Sequence, residues 1–444
     1  MLFAAGAFAA LCACGPVKPE SKHDSGTGAC QADACLSYCL GLGHTGGFCL
    51  GQQCVCGSGG DAGLPGTTMT GRVLSPGGLV PISGALVWFS KTEPAPIPDH
   101  AYPETCTNPA GPYGFSRPDG AFTVAPAPGD YYLVVQKGQF RRVRQITVPA
   151  QGPVAVPEDQ TTLPSKNGVG DTIPNMALVY ALSGGDHIED VLAKLGMGQV
   201  GSDHLLVMGT EEFDIYNVYP YESNSALLTD LERMKGYHIL FFPCTIAGSP
   251  QISDPTAPLS DPAVLQNIRD YLAAGGKIYA TDMMYDIFEQ SLPEYVDLCG
   301  DDAVMNDADQ TAWASSQTMS GWTSHGKAVD PDLAAWLDAI GQSSQAIDFH
   351  ENFVWIEGLY TTPEPGPGDP QPPKVWVTGD FVLQAGQTLP LTITFPYGAG
   401  KVLFSTYHTV GDPGGSAGHV GIYPQEWVLV YLIMEIGVCT SPVL

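Results

Sequence analysis

From Asn175 onward, short apolar runs rich in β-branched and aromatic residues alternate with segments of helical period. Five runs read as core strands: 175–184 (NMALVYALSG), 213–220 (FDIYNVYP), 236–244 (GYHILFFPC), 276–282 (GKIYATD) and 400–408 (GKVLFSTYH). Helices are expected at 186–195, 227–234, 261–274 and 425–436. Asp261-Pro262 opens the third with a cap signal and Gly275-Gly276 closes it. Such alternation implies crossover connections and a parallel sheet, so this part is expected to be an α/β domain spanning 173–444. Ligands of such sheets bind beyond the carboxyl ends of the strands. Those ends nominate Gly184, Gly185, Cys244, Asp282 and His408 as a candidate ligand cleft.

GYHILFFPC and the turn-strand AAGGKIYATD resemble the class I glutamine amidotransferase-like, flavodoxin-like α/β domains. The resemblance implies a catalytic Cys in a Gly-flanked elbow after the strand matching KIYATD. Here Asp282-Met283-Met284 stands there, with no Cys and no flanking Gly. His408, in STYHT, matches the family's His after its last strand. The expectation is a domain without its nucleophile, binding rather than catalysing, and no catalytic residue is assigned. The alternative is a hydrolase using Cys244 and His408. The pairing of Cys106, Cys244, Cys299 and Cys439 stays open at this point.

Residues 297–375 read as an insertion or lid, and PEPGPGDPQPP (363–373) as a loop. DDAVMNDADQ has closely spaced oxygens but lacks the Gly and terminal Glu of an EF-hand loop. His350-Glu351 lacks a second His at ligand spacing. No metal or cofactor site is therefore expected.

Before Asn175 the period is that of strands. MTGRVLS, GALVWFS, AFTVAPA, DYYLVVQKG and RRVRQITVPA are short and separated by Gly and Pro. Gly71-Arg72-Val73, Pro81, Gly84-Ala85-Leu86-Val87, Asp119-Gly120-Ala121-Phe122 and Pro128-Gly129-Asp130-Tyr131-Tyr132-Leu133 resemble the carboxypeptidase regulatory-like, transthyretin-like β-sandwich. That resemblance covers 67–150, interrupted by an insertion from 91 to 118, and implies a spacer or support without catalytic residues. Asp119-Gly120 reads as a hairpin turn. Arg141, Arg142 and Arg144 read as a solvated strand face that protects an edge. Residues 151–172 read as a polar connector.

Half of the twelve cysteines fall between residues 30 and 56. Cys35 and Cys39 are four apart, one side of a helix; Cys54 and Cys56 are two apart, one side of a strand. Two bridges could clip that helix to that strand, although spacing alone leaves about 15 connectivities. The pattern CxxxC…GG-aromatic-C…CxC over 30–57 resembles the cysteine-stabilised αβ motif of invertebrate-type and fungal defensins. The resemblance implies Cys30–Cys49, Cys35–Cys54 and Cys39–Cys56. Only Asp33 and His44 are ionisable acids or bases other than cysteine and tyrosine in this stretch. A membrane-active defensin needs several cations, so a disulfide staple or recognition module is expected, with a defence response as the alternative.

Residues 1–14 form a small-residue apolar run too short to span a bilayer. Leu11-Cys12-Ala13-Cys14 resembles a bacterial lipobox, which implies a signal peptide and a lipid on Cys14; Gly15 in place of Asp resembles outer-membrane sorting. Residues 15–29 then read as a tether and 58–66 as a linker. The expected protein is secreted and anchored by lipid at a bacterial outer membrane or cell surface. A formal charge of −28 argues against nucleic-acid partners. The expected partners are the membrane, through the lipid, and an unknown surface ligand such as a small molecule or glycan.

Overall fold

The computed structural model describes residues 46–50, 53–57, 67–104, 109–179, 186–216, 224–244, 257–299, 313–314, 317, 321–361, 370–409 and 418–436. Strands β1 (Gly46–Leu50) and β2 (Gln53–Gly57) form an antiparallel hairpin that sets Cys49 opposite Cys54. Cys54 and Cys56 share one strand, in keeping with their spacing. Cys14, Cys30, Cys35 and Cys39 lie outside the described residues, and so do the lipid attachment and the implied bridges.

A two-sheet β module follows. Its strands are β3 (Met69–Arg72), β4 (Leu86–Ser90), β5 (Tyr113–Phe115), β6 (Ala121–Val124), β7 (Gly129–Lys137), β8 (Phe140–Val148), β9 (Val154–Ala155) and β10 (Asp171–Thr172). One sheet has the order β6-β3-β9 and the other β10-β8-β7-β4-β5. Alternating apolar side chains of both sheets, among them Met69, Phe89, Phe122, Leu133 and Val135, fill a common core.

Three readings change here. Residues 151–172 are not merely a connector: β9 pairs with β3 and β10 with β8, so the stretch completes both sheets. The Asp119-Gly120 turn, with Gly120 at φ +77°, does not close a hairpin; it carries the chain from β5 in one sheet to β6 in the other. The arginines are not a solvated face. Arg142 and Arg144 clamp Asp171 at 2.9 and 2.8 Å, and Arg141 is buried with Nη2 donating to Ala95 O.

The α/β part holds β11 (Met176–Val179), β12 (Asp214–Tyr216), β13 (Ile239–Phe242), β14 (Lys277–Thr281), β15 (Val296–Leu298), β16 (Trp322–Ala328), β17 (Ile347–Asn352), β18 (Ile356–Leu359), β19 (Lys374–Gly379), β20 (Leu389–Tyr397) and β21 (Gly400–Ser405). All but β15 and β18, which pair with each other, form one nine-stranded sheet, β12-β11-β13-β14-β21-β20-β19-β16-β17. The five strands expected from sequence are β11, β12, β13, β14 and β21, and these run parallel. The purely parallel expectation is corrected by the other half, where β20, β19, β16 and β17 add on antiparallel. Three of those four strands come from or border 297–375, so much of that region extends the sheet instead of forming a lid.

Helix Pro262–Ala273 forms where its signals place it. The Asp261 side chain accepts Ala263 N–H at 2.9 Å, and Gly276 N–H returns to Tyr271 O at 3.0 Å beyond Gly275 at φ +106°. Helix Pro424–Ile436 is apolar on nearly all sides because it is buried on nearly all sides. The expected helix at 227–234 is two short ones, Asn224–Leu228 and Leu231–Lys235, because Asp230 caps the second and interrupts the first.

The β module and the α/β part share one continuous core, from Met69 and Val87 to Trp336 and Met434. Trp336 Nε1 donates to Pro81 O at 2.7 Å, and buried Lys137 pairs with Glu435. Segment 98–104 packs on the α/β part. His238 accepts Asn175 N–H at Nδ1, and its Nε2 donates to Pro98 O at 2.9 Å. Among the described residues no helix is long and apolar enough to cross a membrane.

Candidate functional site

Three strands of the parallel half deliver the site. β13 ends at Phe242 and the chain reaches Cys244 two residues on. Cys244 N–H donates to Thr281 Oγ1 at 2.8 Å, which ties it to the end of β14. β14 stops at Thr281, and Asp282 turns the chain at φ +48° directly into the tight helical turn Asp282–Tyr285. A non-Gly residue at such an angle is uncommon, Asp being among the few that tolerate it, and such residues gather at functional turns. This is a strand–elbow–helix with a carboxylate at its apex.

β21 contributes His408, three residues past its end. The neighbours fix its backbone. Its N–H donates to Glu351 O at 3.1 Å, and its carbonyl accepts Gln425 Nε2 at 2.6 Å. Gln425 Oε1 also accepts His350 N–H at 2.7 Å, so one buried amide holds the ends of β17 and β21 together. The His408 ring lies against Phe353, centroids 5.5 Å apart.

A donor atom from each of Cys244, Asp282 and His408 lies within 4.8 Å of the other two. The residues are 3, 0 and 7% exposed. Asp282 Oδ2 accepts Phe353 N–H at 3.1 Å and stands 3.6 Å from His408 Nε2, too far for a hydrogen bond. Asp282 Oδ1 and His408 Nε2 have no hydrogen-bond partner among the described residues. Buried polar atoms are nearly always satisfied, so two adjacent exceptions mark a place for something else.

Burial dominates the protonation states. It pushes the Asp282 carboxyl well above the usual carboxylate range; the Phe353 amide opposes this, and the charges of Asp186 and Glu351 add to it. Burial and then the Asp282 charge push the Cys244 thiol well up. Burial lowers His408 against the pull of Asp186. All three directions favour the uncharged form: the carboxyl, the thiol and the neutral imidazole. This burial disfavours the thiolate–imidazolium pair that a cysteine nucleophile uses.

Beside it lies a second ionisable group. Asp186 N–H donates to Cys244 O at 3.1 Å, and Asp186 Oδ2 accepts Thr409 N–H at 2.6 Å. His187 Nδ1 meets Glu189 Oε1 at 2.8 Å and Asp190 Oδ2 at 4.0 Å. Burial alone would lower His187, but the Glu189 hydrogen bond and surrounding carboxylates raise it to about 9. Burial raises Glu189 to about 7. Further on, His419 Nε2 contacts Glu426 Oε1 at 2.6 Å and Lys194 Nζ at 3.2 Å.

Of the residues nominated from sequence, the structure brings Cys244, Asp282 and His408 together. Gly184 and Gly185 lie outside the described residues. Cys244 and Cys299 are both buried thiols, while Cys106 and Cys439 lie outside the described residues. Sequence reasoning missed Asp186, Phe353 and Gln425. It weighed Glu351 only with His350 as a metal pair and set it aside; the structure puts Glu351 beside the site, at φ +55°.

No family model matches the sequence, and no curated protein matches it. Solved structures that resemble part of the chain include a cytoplasmic protein of Salmonella typhimurium, 12% identical, covering 59% of this chain and 98% of that one at a TM-score of 0.33. A Parabacteroides merdae protein described as ThuA-like is 12% identical, covers 61% and 92%, and scores 0.34. A β-galactosidase of Rahnella sp. R3 is 12% identical, covers 60% and 32%, and scores 0.27. Likenesses at these scores add no argument to the geometry.

Proposed function

We propose that the chain is a secreted, lipid-anchored surface protein whose α/β domain binds a ligand at Cys244, Asp282 and His408 without turning it over. The observation that carries this reading is the pair of unsatisfied buried atoms, Asp282 Oδ1 and His408 Nε2, on two residues that meet at the strand ends. A neutral acid and a neutral imidazole each offer donors and acceptors but no net charge. That chemistry suits an uncharged polar group, a hydroxyl or amide of a small molecule or glycan.

The strand order β12-β11-β13-β14-β21 supports a flavodoxin-like, amidotransferase-like assignment, because it reads 2-1-3-4-5 within the parallel half. In such sheets the crevice opens where the order reverses, between β11 and β13, beside Cys244. The β module supports a carboxypeptidase regulatory-like spacer, and the hairpin β1–β2 supports a defensin-like staple. The reading keeps a staple, and not a weapon, because residues 30–57 carry no Lys or Arg.

The test is a thermal-shift screen of the purified chain against neutral monosaccharides, small alcohols and primary amides. A stabilising compound should lose its effect in Asp282→Asn and His408→Gln. Hydrolysis of amide or ester substrates that vanishes in Cys244→Ala would overturn the reading and establish a hydrolase.

A further inference from the structure

We infer that Cys244 Sγ, Asp282 and His408 Nε2 are three ligands of a divalent transition-metal site, suited to zinc, that leaves a fourth position for an exogenous ligand. This rests on the binding reading above, since the ligand it requires would take that fourth position.

Two N/O ligands of one tetrahedral zinc ion, each about 2.0–2.1 Å from it, are separated by roughly 3.3 Å. His408 Nε2 and Asp282 Oδ2 stand 3.6 Å apart, too long for a hydrogen bond and close to the separation of two ligands sharing an ion. The third donor lies within 4.8 Å of both, so a small side-chain adjustment closes the triangle.

His408 Nε2 and Asp282 Oδ1 are buried and lack partners among the described residues. A cation would give the imidazole lone pair a use that the fold does not supply. The held backbones of Cys244, through Thr281, and of His408, through Gln425 and Glu351, present the donors from rigid strand ends.

Charge then selects the ion. On binding, the Cys244 thiol and the Asp282 carboxyl each release a proton to solvent, while His408 stays neutral. Thiolate and carboxylate cancel a dication, so the filled site carries no net charge, which a buried position demands. A sulfur, a nitrogen and an oxygen in near-tetrahedral array favour zinc over magnesium or calcium, which take oxygen sets.

The experiment uses the purified full chain, stripped with chelator and titrated with Co²⁺ and Zn²⁺. Co²⁺ should give the visible bands of a tetrahedral ion and a near-ultraviolet thiolate charge-transfer band. Cys244→Ser should abolish the charge-transfer band. Asp282→Asn and His408→Gln should weaken Zn²⁺ by more than the roughly 10–100-fold that loss of an outer-shell partner costs. His187→Gln, in the neighbouring cluster, should leave Zn²⁺ binding within about threefold, well inside that outer-shell range. Absence of Co²⁺ binding by the folded chain overturns the inference. So does a charge-transfer band that persists in Cys244→Ser, since the thiolate would then come from another cysteine. In either case, an organic ligand lost in Asp282→Asn would leave the binding reading standing without the metal.

Discussion

Asp282 Oδ2 stands 3.6 Å from His408 Nε2, just beyond the parallel pairing of Thr281 with Ser405. At that separation neither atom satisfies the other. Asp282 Oδ2 is held by the Phe353 amide, while Asp282 Oδ1 and His408 Nε2 have no partner among the described residues. The pair also sets the pH behaviour of the domain, because its acid is buried among other acids.

The Asp282 carboxyl is held well above the usual range by burial, so the folded chain keeps a proton that the unfolded chain sheds near pH 4. The folded state binds more protons, so stability falls as pH rises above that point, by up to about 1.4 kcal/mol per pH unit for one group. Asp282→Asn keeps the tolerance for φ +48° and an acceptor for Phe353 N–H. It should flatten this slope, and its melting temperature should exceed that of the parent by more at pH 8 than at pH 4. Parallel pH profiles for the two proteins would refute the assignment.

His187 behaves in the opposite sense. Its folded value is raised to about 9 from 6.5, so its contribution is complete below pH 6.5 and fades as pH rises through 9. Substitution to Gln should cost on the order of 1–3 kcal/mol at pH 6 and distinctly less at pH 9.5. Urea unfolding at the two pH values measures the difference.

Gly275 closes helix Pro262–Ala273 at φ +106°, and a Cβ there would collide with the Tyr102 carbonyl. Gly275→Ala therefore meets both backbone strain and a contact from segment 98–104. A loss of roughly 2–4 kcal/mol is expected in chemical denaturation. A change below about 1 kcal/mol, the size of a simple backbone-entropy effect, would mean that segment 98–104 does not dock on the helix end.

Anchoring should depend on one thiol. Cys14→Ser is expected to move the protein from the membrane pellet to the soluble fraction when expressed in a Gram-negative host. Continued pelleting of the variant would exclude a lipid at Cys14 as the anchor.

The peptide 30–57, oxidised, should fold without releasing dye from anionic vesicles at micromolar concentration. It has no Lys or Arg to draw it to such a surface. Leakage would favour the defence alternative.

The local signals of this chain were readable because they are local. An apolar run with β-branched residues makes a strand wherever it lies, so β11, β12, β13, β14 and β21 were visible. Asp261, Pro262 and Gly275 act within a few residues of themselves, so the ends of their helix were visible as well. A rule about strand ends then reached Cys244, Asp282 and His408 without knowing their distances. The antiparallel half of the sheet was less legible, because β16 and β17 carry mixed polar and apolar faces that resemble loops until a neighbouring strand covers them.

Only the tertiary structure decided what the three residues are. Their 4.8 Å grouping comes from sheet register, which sets the end of β13 beside the end of β14 and the end of β14 beside that of β21, from a stretch more than a hundred residues further along the chain. Their protonation comes from burial and from Asp186 and Glu351, which arrive from two further segments. Sequence specifies which groups a chain owns; desolvation and proximity, which decide whether a carboxyl is an acid, a base or a ligand, are properties of the packed molecule.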